Sequence, residues 1–156
     1  MKISNLLSPS DVFVDVPASN KQLLLQELAS KAGNSLGLGV DRVAPYLLKR
    51  EALGSTSIGY GAAIPHALLP DVQLPFALMA RLKQPIQFDA IDDQAVDLVF
   101  LLLLPAKVDN TQFSALALVS RTMRLNGVID RLRRARDASG IYSVVTATSS
   151  PRSQEP

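Results

Sequence analysis

Hydrophobic and polar positions first alternate at Val12, Phe13, Val14, Asp15 and Val16, a period of two that predicts a short strand with the valines on one face. The period then lengthens. Ser19 and Gln22 make a capping-box pattern, predicted to open a helix through about Gly37 that buries Leu24, Leu25, Leu28, Ala32 and Leu36. Asp41 is placed to cap a second helix, in which Pro45 is tolerable only near the first turn. Val43, Leu47 and Leu48 face inward, Arg50 falls in the last turn, and Gly54 suits the C′ position.

Further on, Pro70-Asp71 marks a turn and Phe76 to Lys83 reads as a strand. Phe76, Leu78, Ala80 and Leu82 share one face of it, and Ala77, Met79 and Arg81 share the other. Pro85 to Asp93 reads as loop. Ala95 to Leu104 contains an unbroken apolar run with no polar alternation, as expected of a strand covered on both faces, and Pro105 ends it. A helix from about Thr111 to Arg124 is expected to bury Phe113, Leu116, Ala117 and Val119. Another runs from about Val128 to Ala135, and Ile141 to Thr146 makes a last helical turn or two. Residues 147–156, rich in Ser, Pro and polar side chains, read as a flexible tail behind a single domain of residues 1–146.

Composition narrows the classes. With 47% hydrophobic and 19% charged residues in 156, the chain reads as soluble, globular and one domain. A net charge of +2 gives no reason to invoke nucleic acid. Zero cysteines and one histidine argue against disulfides and a zinc site. Asp89, Asp92 and Asp93 invite metal binding or acid/base work, yet no calcium-loop pattern accompanies them, and a solvated loop is the preferred reading. Arg131, Arg133, Arg134 and Arg136 look like a nucleic-acid patch in isolation, but their alternation with Ile129 and Leu132 reads as an amphipathic surface helix. No signal peptide opens the chain, and the longest apolar run is too short to span a bilayer, so a cytoplasmic protein without membrane insertion is expected.

The chemistry gathers between Leu53 and Leu69. Gly54, Gly59 and Gly61 free the backbone there, and Ser55, Thr56 and Ser57 add hydroxyls, a mixture suited to a turn whose N–H groups converge on an anion. Pro65 stiffens the approach to His66, the only histidine and the one side chain here that ordinarily titrates near neutrality. Arg50, sixteen positions earlier, is a permanent cation shaped to grip a phosphoryl group. A packed histidine, a plain Gly/Ser loop and a helix-end cation are the ordinary alternatives.

Arg50-Glu51-x-Leu53-Gly54-Ser55-Thr56-x-Ile58-Gly59-x-Gly61-x-Ala63-Ile64-Pro65-His66 resembles the active-site signature of the fructose/mannitol-type IIA proteins of the sugar phosphotransferase system, especially the nitrogen-regulatory ones. The likeness extends from Leu6 to about Thr146, through Phe88 to Asp92, Val96 to Phe100 and the Tyr142 region. It implies, together with the pattern, an α/β fold: a mixed, mostly parallel sheet with helices on both faces. It implies that His66 carries a phosphoryl group received from an HPr-like phosphocarrier, that Arg50 supports it, and that Gly54, Ser55, Thr56, Gly59 and Gly61 bind the phosphate. No cofactor and no metal are implied. The outputs would be regulatory protein targets, in nitrogen metabolism or potassium transport, and the chain would be a IIA component rather than a stand-alone metabolic enzyme.

Three positions depart from that pattern. Gln112 stands where relatives usually place a second histidine, Ala67 where glycine is common, and Tyr60 where a small or polar residue is common. A glutamine amide hydrogen-bonds but never becomes cationic. A binding-only regulator with an unused His66 therefore stays open beside the phosphohistidine carrier. A hydrolase is disfavoured, because no serine or cysteine nucleophile with an orienting acid is evident.

Overall fold

The computed structural model describes residues 1–107 and 109–148. Its centre is β6 (Val96–Pro105), in which Leu98 to Leu103 are entirely buried. Every neighbour in the sheet is arranged about that strand. β5 (Phe76–Ile86) runs antiparallel to it, and β1 (Val12–Val16) lies parallel to β5. On the other edge of β6 two short strands follow one another, β3 (Ala62–Ala63) beside Leu98 and Val99, and β4 (His66–Leu69) beside Leu102 to Pro105, both parallel to it. β2 (Ser57–Gly59) closes that side, antiparallel to β3. The sheet is thus mixed and mostly parallel.

Two apolar layers cover it, because the alternating side chains of β5 and β6 are hydrophobic on both sides. Phe76, Leu78, Ala80 and Leu82 meet α2 (Lys21–Leu36) and α3 (Ala44–Ala52). Ala77, Met79, Phe100 and Leu102 meet α1 (Ile3–Leu6), α4 (Asn110–Arg124), α5 (Val128–Arg134) and α6 (Ala138–Thr148). Burying each such Leu or Phe contributes about 1.5–3 kcal/mol, which explains a strand as apolar as β6.

Several expectations are corrected. The valines of β1 do not share a face: Asp15 sits at φ +54° and the pairing with β5 shifts register beside it. That bulge sends Val12 and Val14 to one layer and Val16 to the other. The cap of α2 is Asn20, whose side chain accepts from Leu23 N–H at 2.8 Å, and not Ser19. Asp41 lies in a 3-10 turn and caps nothing, while Pro45 occupies the first turn of α3. β5 continues through Pro85 to Ile86, with an irregular register where the proline lacks a donor. The buried stripe of α4 is Gln112, Ala115, Leu118, Val119, Thr122 and Met123, whereas Phe113 is 72% exposed and Ala117 also faces solvent. Ala147 and Thr148 close α6, so the helix outruns the expected tail boundary, and the remainder of that tail lies outside the described residues.

Candidate functional site

His66 opens β4, where Pro65 delivers it to the edge of the central strand opposite Leu102. Its Nδ1 lies 2.8 Å from the carbonyl oxygen of Ile64. A carbonyl can only accept, so Nδ1 carries the proton and Nε2 keeps the lone pair. Burial pulls the His66 pKa below its ordinary value of 6.5. The Ile64 carbonyl and the Glu51 charge pull the other way, while the Arg50 charge lowers it further. The side chain is therefore a neutral, oriented imidazole at neutral pH.

A recess of about 630 Å³ opens over it, with Lys49, Arg50, Gln112 and Phe113 among its lining. Arg50 reaches it from the last turn of α3, where its Nη1 donates to Gly54 O at 3.0 Å. That bond stations the guanidinium at the helix end and leaves its other N–H groups available. Among the described residues Arg50 has no ion-pair partner. Gln112 comes from the first turn of α4, and its Nε2 donates to Pro105 O at 2.6 Å and Lys107 O at 2.9 Å. The glutamine thus fastens the end of β6 to the helix that follows, and both its amide hydrogens are committed. Around the opening stand Leu53, Phe113, Leu68 and Tyr46, exposed by 82%, 72%, 42% and 37%. That is an apolar rim around two cations and an imidazole.

The glycine and hydroxyl residues of the preceding segment are not gathered with them. Gly54, Ser55, Thr56, Gly59 and Gly61 do not line the recess, and several of the N–H groups of this segment are bonded within the chain. Gly54 N–H donates to Glu51 O, Thr56 N–H to the Glu51 carboxylate, Gly59 N–H to Ser57 Oγ and Tyr60 N–H to Asp92. The Ser55 hydroxyl donates to Phe88 O. Gly61, at φ +77°, is needed for another reason: a Cβ there would overlap the Arg133 guanidinium and press on Asp97. The segment is a scaffold of short strands that carries His66 to its place. Asp92 accordingly serves as an acceptor for Tyr60 and Gln94, which holds its carboxyl below the usual range, and among the described residues no carboxylate cluster fit for a metal ion occurs.

Glu51 is the site residue that sequence reasoning left without a role. It shares the inward stripe of α3 with Ala44 and Leu47 and is only 7% exposed. Its Oε2 takes Lys21 Nζ at 2.8 Å and Thr56 N–H at 2.9 Å, and its Oε1 takes the Thr56 hydroxyl at 2.7 Å. Lys21 Nζ also lies 4.5 Å from the centre of the Phe88 ring. The signal was present in the spacing, since a glutamate on an apolar helical stripe must find partners when buried. Tyr46 and Lys49 were missed as well, because nothing local distinguishes them from ordinary surface residues of a helix.

Residues 5–147 match the family described as "Phosphoenolpyruvate-dependent sugar phosphotransferase system, EIIA 2". A nitrogen regulatory protein of Bradyrhizobium diazoefficiens is 43% identical over 145 residues, covering 93% of this chain and 95% of that one. Another from Escherichia coli is 35% identical over 149 residues, covering 95% and 91%. The crystal structure of the nitrogen regulatory protein IIA-Ntr from Neisseria meningitidis superposes with a TM-score of 0.83 at 28% identity, over 92% of this chain and 99% of that one. The IIA mannitol protein of Escherichia coli shares the fold, with a TM-score of 0.74 at 16% identity, covering 88% and 97%. With residues 5–147 matched to the family and nitrogen regulatory proteins up to 43% identical over nearly their whole length, the chain belongs to the EIIA 2 family of the phosphoenolpyruvate-dependent sugar phosphotransferase system, in its nitrogen-regulatory branch.

Proposed function

We propose that this protein is a phosphohistidine carrier and regulator that accepts a phosphoryl group on His66 Nε2 from an HPr-like phosphocarrier. The observation that carries the reading is the Nδ1–H bond to Ile64 O, which leaves Nε2 as the nucleophile, in a recess that Arg50 also lines. In the transfer, the P–N bond of the donor's phosphohistidine breaks as the Nε2–P bond forms, and the donor imidazole leaves with the electron pair. Nδ1–H remains bonded to the carbonyl, which disperses positive charge that builds on the ring. Arg50 and Lys49 meet the charge on the equatorial oxygens. The exposed rim of Leu53, Phe113, Leu68 and Tyr46 supplies the apolar contact on which the donor docks, and no cofactor or metal takes part.

Phosphorylation would place about two negative charges on this patch, and so change which regulatory protein targets it fits. By family, those targets act in nitrogen metabolism or potassium transport, in the cytoplasm. The Gly54 to Gly61 segment contributes by positioning His66 rather than by wrapping the phosphate. Incubation with phosphoenolpyruvate, enzyme I and the HPr-like carrier, followed by intact mass, tests the reading. One added phosphoryl, absent from His66→Ala and lost in acid, is expected. No mass change with an active donor would overturn it.

Gln112 favours a second reading. Its amide is never cationic, and with both hydrogens held by Pro105 O and Lys107 O it has no N–H left to donate to a phosphoryl group. A binding-only regulator would keep the fold and the apolar rim while His66 stays unmodified, and the same mass measurement separates the two.

A further inference from the structure

A second recess, of about 570 Å³, lies away from His66, where β2 meets the turn between α4 and α5. Ile58, Met123, Leu125 and Ile129 give it an apolar lining, and Tyr60, Arg124, Arg133 and one carboxylate, Asp130, line it with them. Tyr60 is held there at a cost. It is a bulky residue at φ +58°, 71% exposed, with its N–H donated to Asp92 and its carbonyl accepting from Arg133. Arg133 in turn is paired with Asp97 at 2.8 Å, so the wall is braced from both sides.

Charge is distributed unevenly beside this recess. From Arg121 to Arg136 the chain has six arginines and one acidic residue, Asp130, leaving ten basic and thirteen acidic residues for the rest of the sixteen and fourteen. Arg133 is engaged by Asp97, and Arg124 Nε by the Ser120 hydroxyl. Arg121, Arg131, Arg134 and Arg136 are exposed and have no ion-pair partner among the described residues. Arg121 and Arg124 lie one turn apart on α4, and Arg131 and Arg134 one turn apart on α5. Arginine presents a planar fork that matches carboxylates two oxygens at a time. The Asp92 carboxylate, which accepts from Tyr60 N–H, and Asp130 in the lining add negative charge at this site, which disfavours a long polyanion or a flat anionic membrane crossing it.

We propose that this recess docks an acidic segment of a partner protein, with one aliphatic side chain of that segment in the apolar floor and its flanking carboxylates on Arg124 of the lining and on Arg134, one turn beyond Asp130 on α5. The surface is separate from the His66 recess, and the proposal does not depend on phosphorylation. Tyr60 forms part of its wall, and, with Arg133 held by Asp97, Arg124 is the lining cation that no carboxylate engages among the described residues.

The test uses the full-length protein and short fluorescein-labelled peptides of glutamate and aspartate around one central leucine. A serine-centred peptide, a DNA duplex of mixed sequence and vesicles of anionic phospholipid are compared with it. Anisotropy measures binding, and backbone amide shifts locate it. The leucine peptide is expected to bind in a salt-dependent way and to shift Ile58, Tyr60 and residues 123–130. Arg124→Glu with Arg134→Glu should weaken it by at least about tenfold, and His66→Ala should leave it unchanged. Arg134→Glu alone, at a residue without an ion-pair partner, guards against loss of fold, which the amide dispersion also reports. The proposal is overturned if the serine peptide binds equally well, if DNA or vesicles bind more tightly, or if the shifts centre on His66. Failure of the leucine peptide to bind at millimolar concentration would overturn it too.

Discussion

Removing the Glu51 carboxylate should cost more than any other single change near the site that leaves the apolar core intact. Three groups depend on it: the Lys21 ammonium at 2.8 Å, the Thr56 N–H at 2.9 Å and the Thr56 hydroxyl at 2.7 Å. Breaking a buried pair by deleting one partner typically costs about 3–5 kcal/mol. Lys21 keeps 18% side-chain exposure and has Asp89 at 3.6 Å as a fallback, which places Glu51→Ala near the low end, at about 3 kcal/mol. For a domain of this size that lowers Tm by about 6–12 °C. Glu51→Gln keeps an acceptor for Thr56 N–H but loses the charge, and about 1–3 kcal/mol is expected. Denaturant unfolding of these variants, with Lys21→Met and the Lys21→Met/Glu51→Gln double variant, isolates the pair, and a coupling of at least about 1 kcal/mol is expected between contacting residues. Because Thr56 O also receives Ile64 N–H at 3.0 Å, loosening Thr56 reaches the carbonyl that orients His66, and phosphoryl acceptance should slow as well. A Glu51→Ala variant within about 0.5 kcal/mol of the parent, which is the range of ordinary surface changes, would refute the reasoning.

The depressed His66 pKa gives a pH signature. The unfolded chain takes up the proton first, so this contribution to stability is whole above pH 6.5 and falls away as pH drops from there towards the folded-state pKa. Unfolding measured against pH should show that decline in the parent and not in His66→Gln. Arg50→Gln should move the His66 pKa upward in an NMR titration, since the Arg50 charge depresses it, and an unmoved pKa would place the guanidinium too far away to meet a phosphoryl group. Gln112→Leu strips two hydrogen bonds from Pro105 O and Lys107 O and should cost about 1–3 kcal/mol by chemical denaturation, with no cost expected if that latch is incidental. Asn20→Ala removes the cap of α2 and should cost about 1 kcal/mol, whereas Ser19→Ala, at the position favoured by pattern alone, should cost close to nothing.

Much of the architecture was written locally. An apolar run such as Leu98 to Leu104 admits little but a strand covered on both faces, and the alternation in Phe76 to Leu82 assigned each side chain to its layer. Arg50, His66 and Gln112 could be singled out from residue type and family signature, and folding brings all three to one recess. Other features depended on partners distant in sequence. Val16 changes face because one residue, Asp15, takes a left-handed conformation, and a single-residue offset inverts everything after it. Phe113 is left on a rim although its type argues for the core, because the stripe of α4 is chosen by where the helix meets β6. The Gly/Ser segment suited an anion nest in isolation, yet several of its donors are taken by Glu51, Ser57 and Asp92, acceptors supplied by the helix before it, by itself and by a loop more than thirty residues later. Local sequence determined which groups could donate; only the tertiary structure decided what reached them first, because a hydrogen bond needs its acceptor within about 3 Å and chain order does not set that distance.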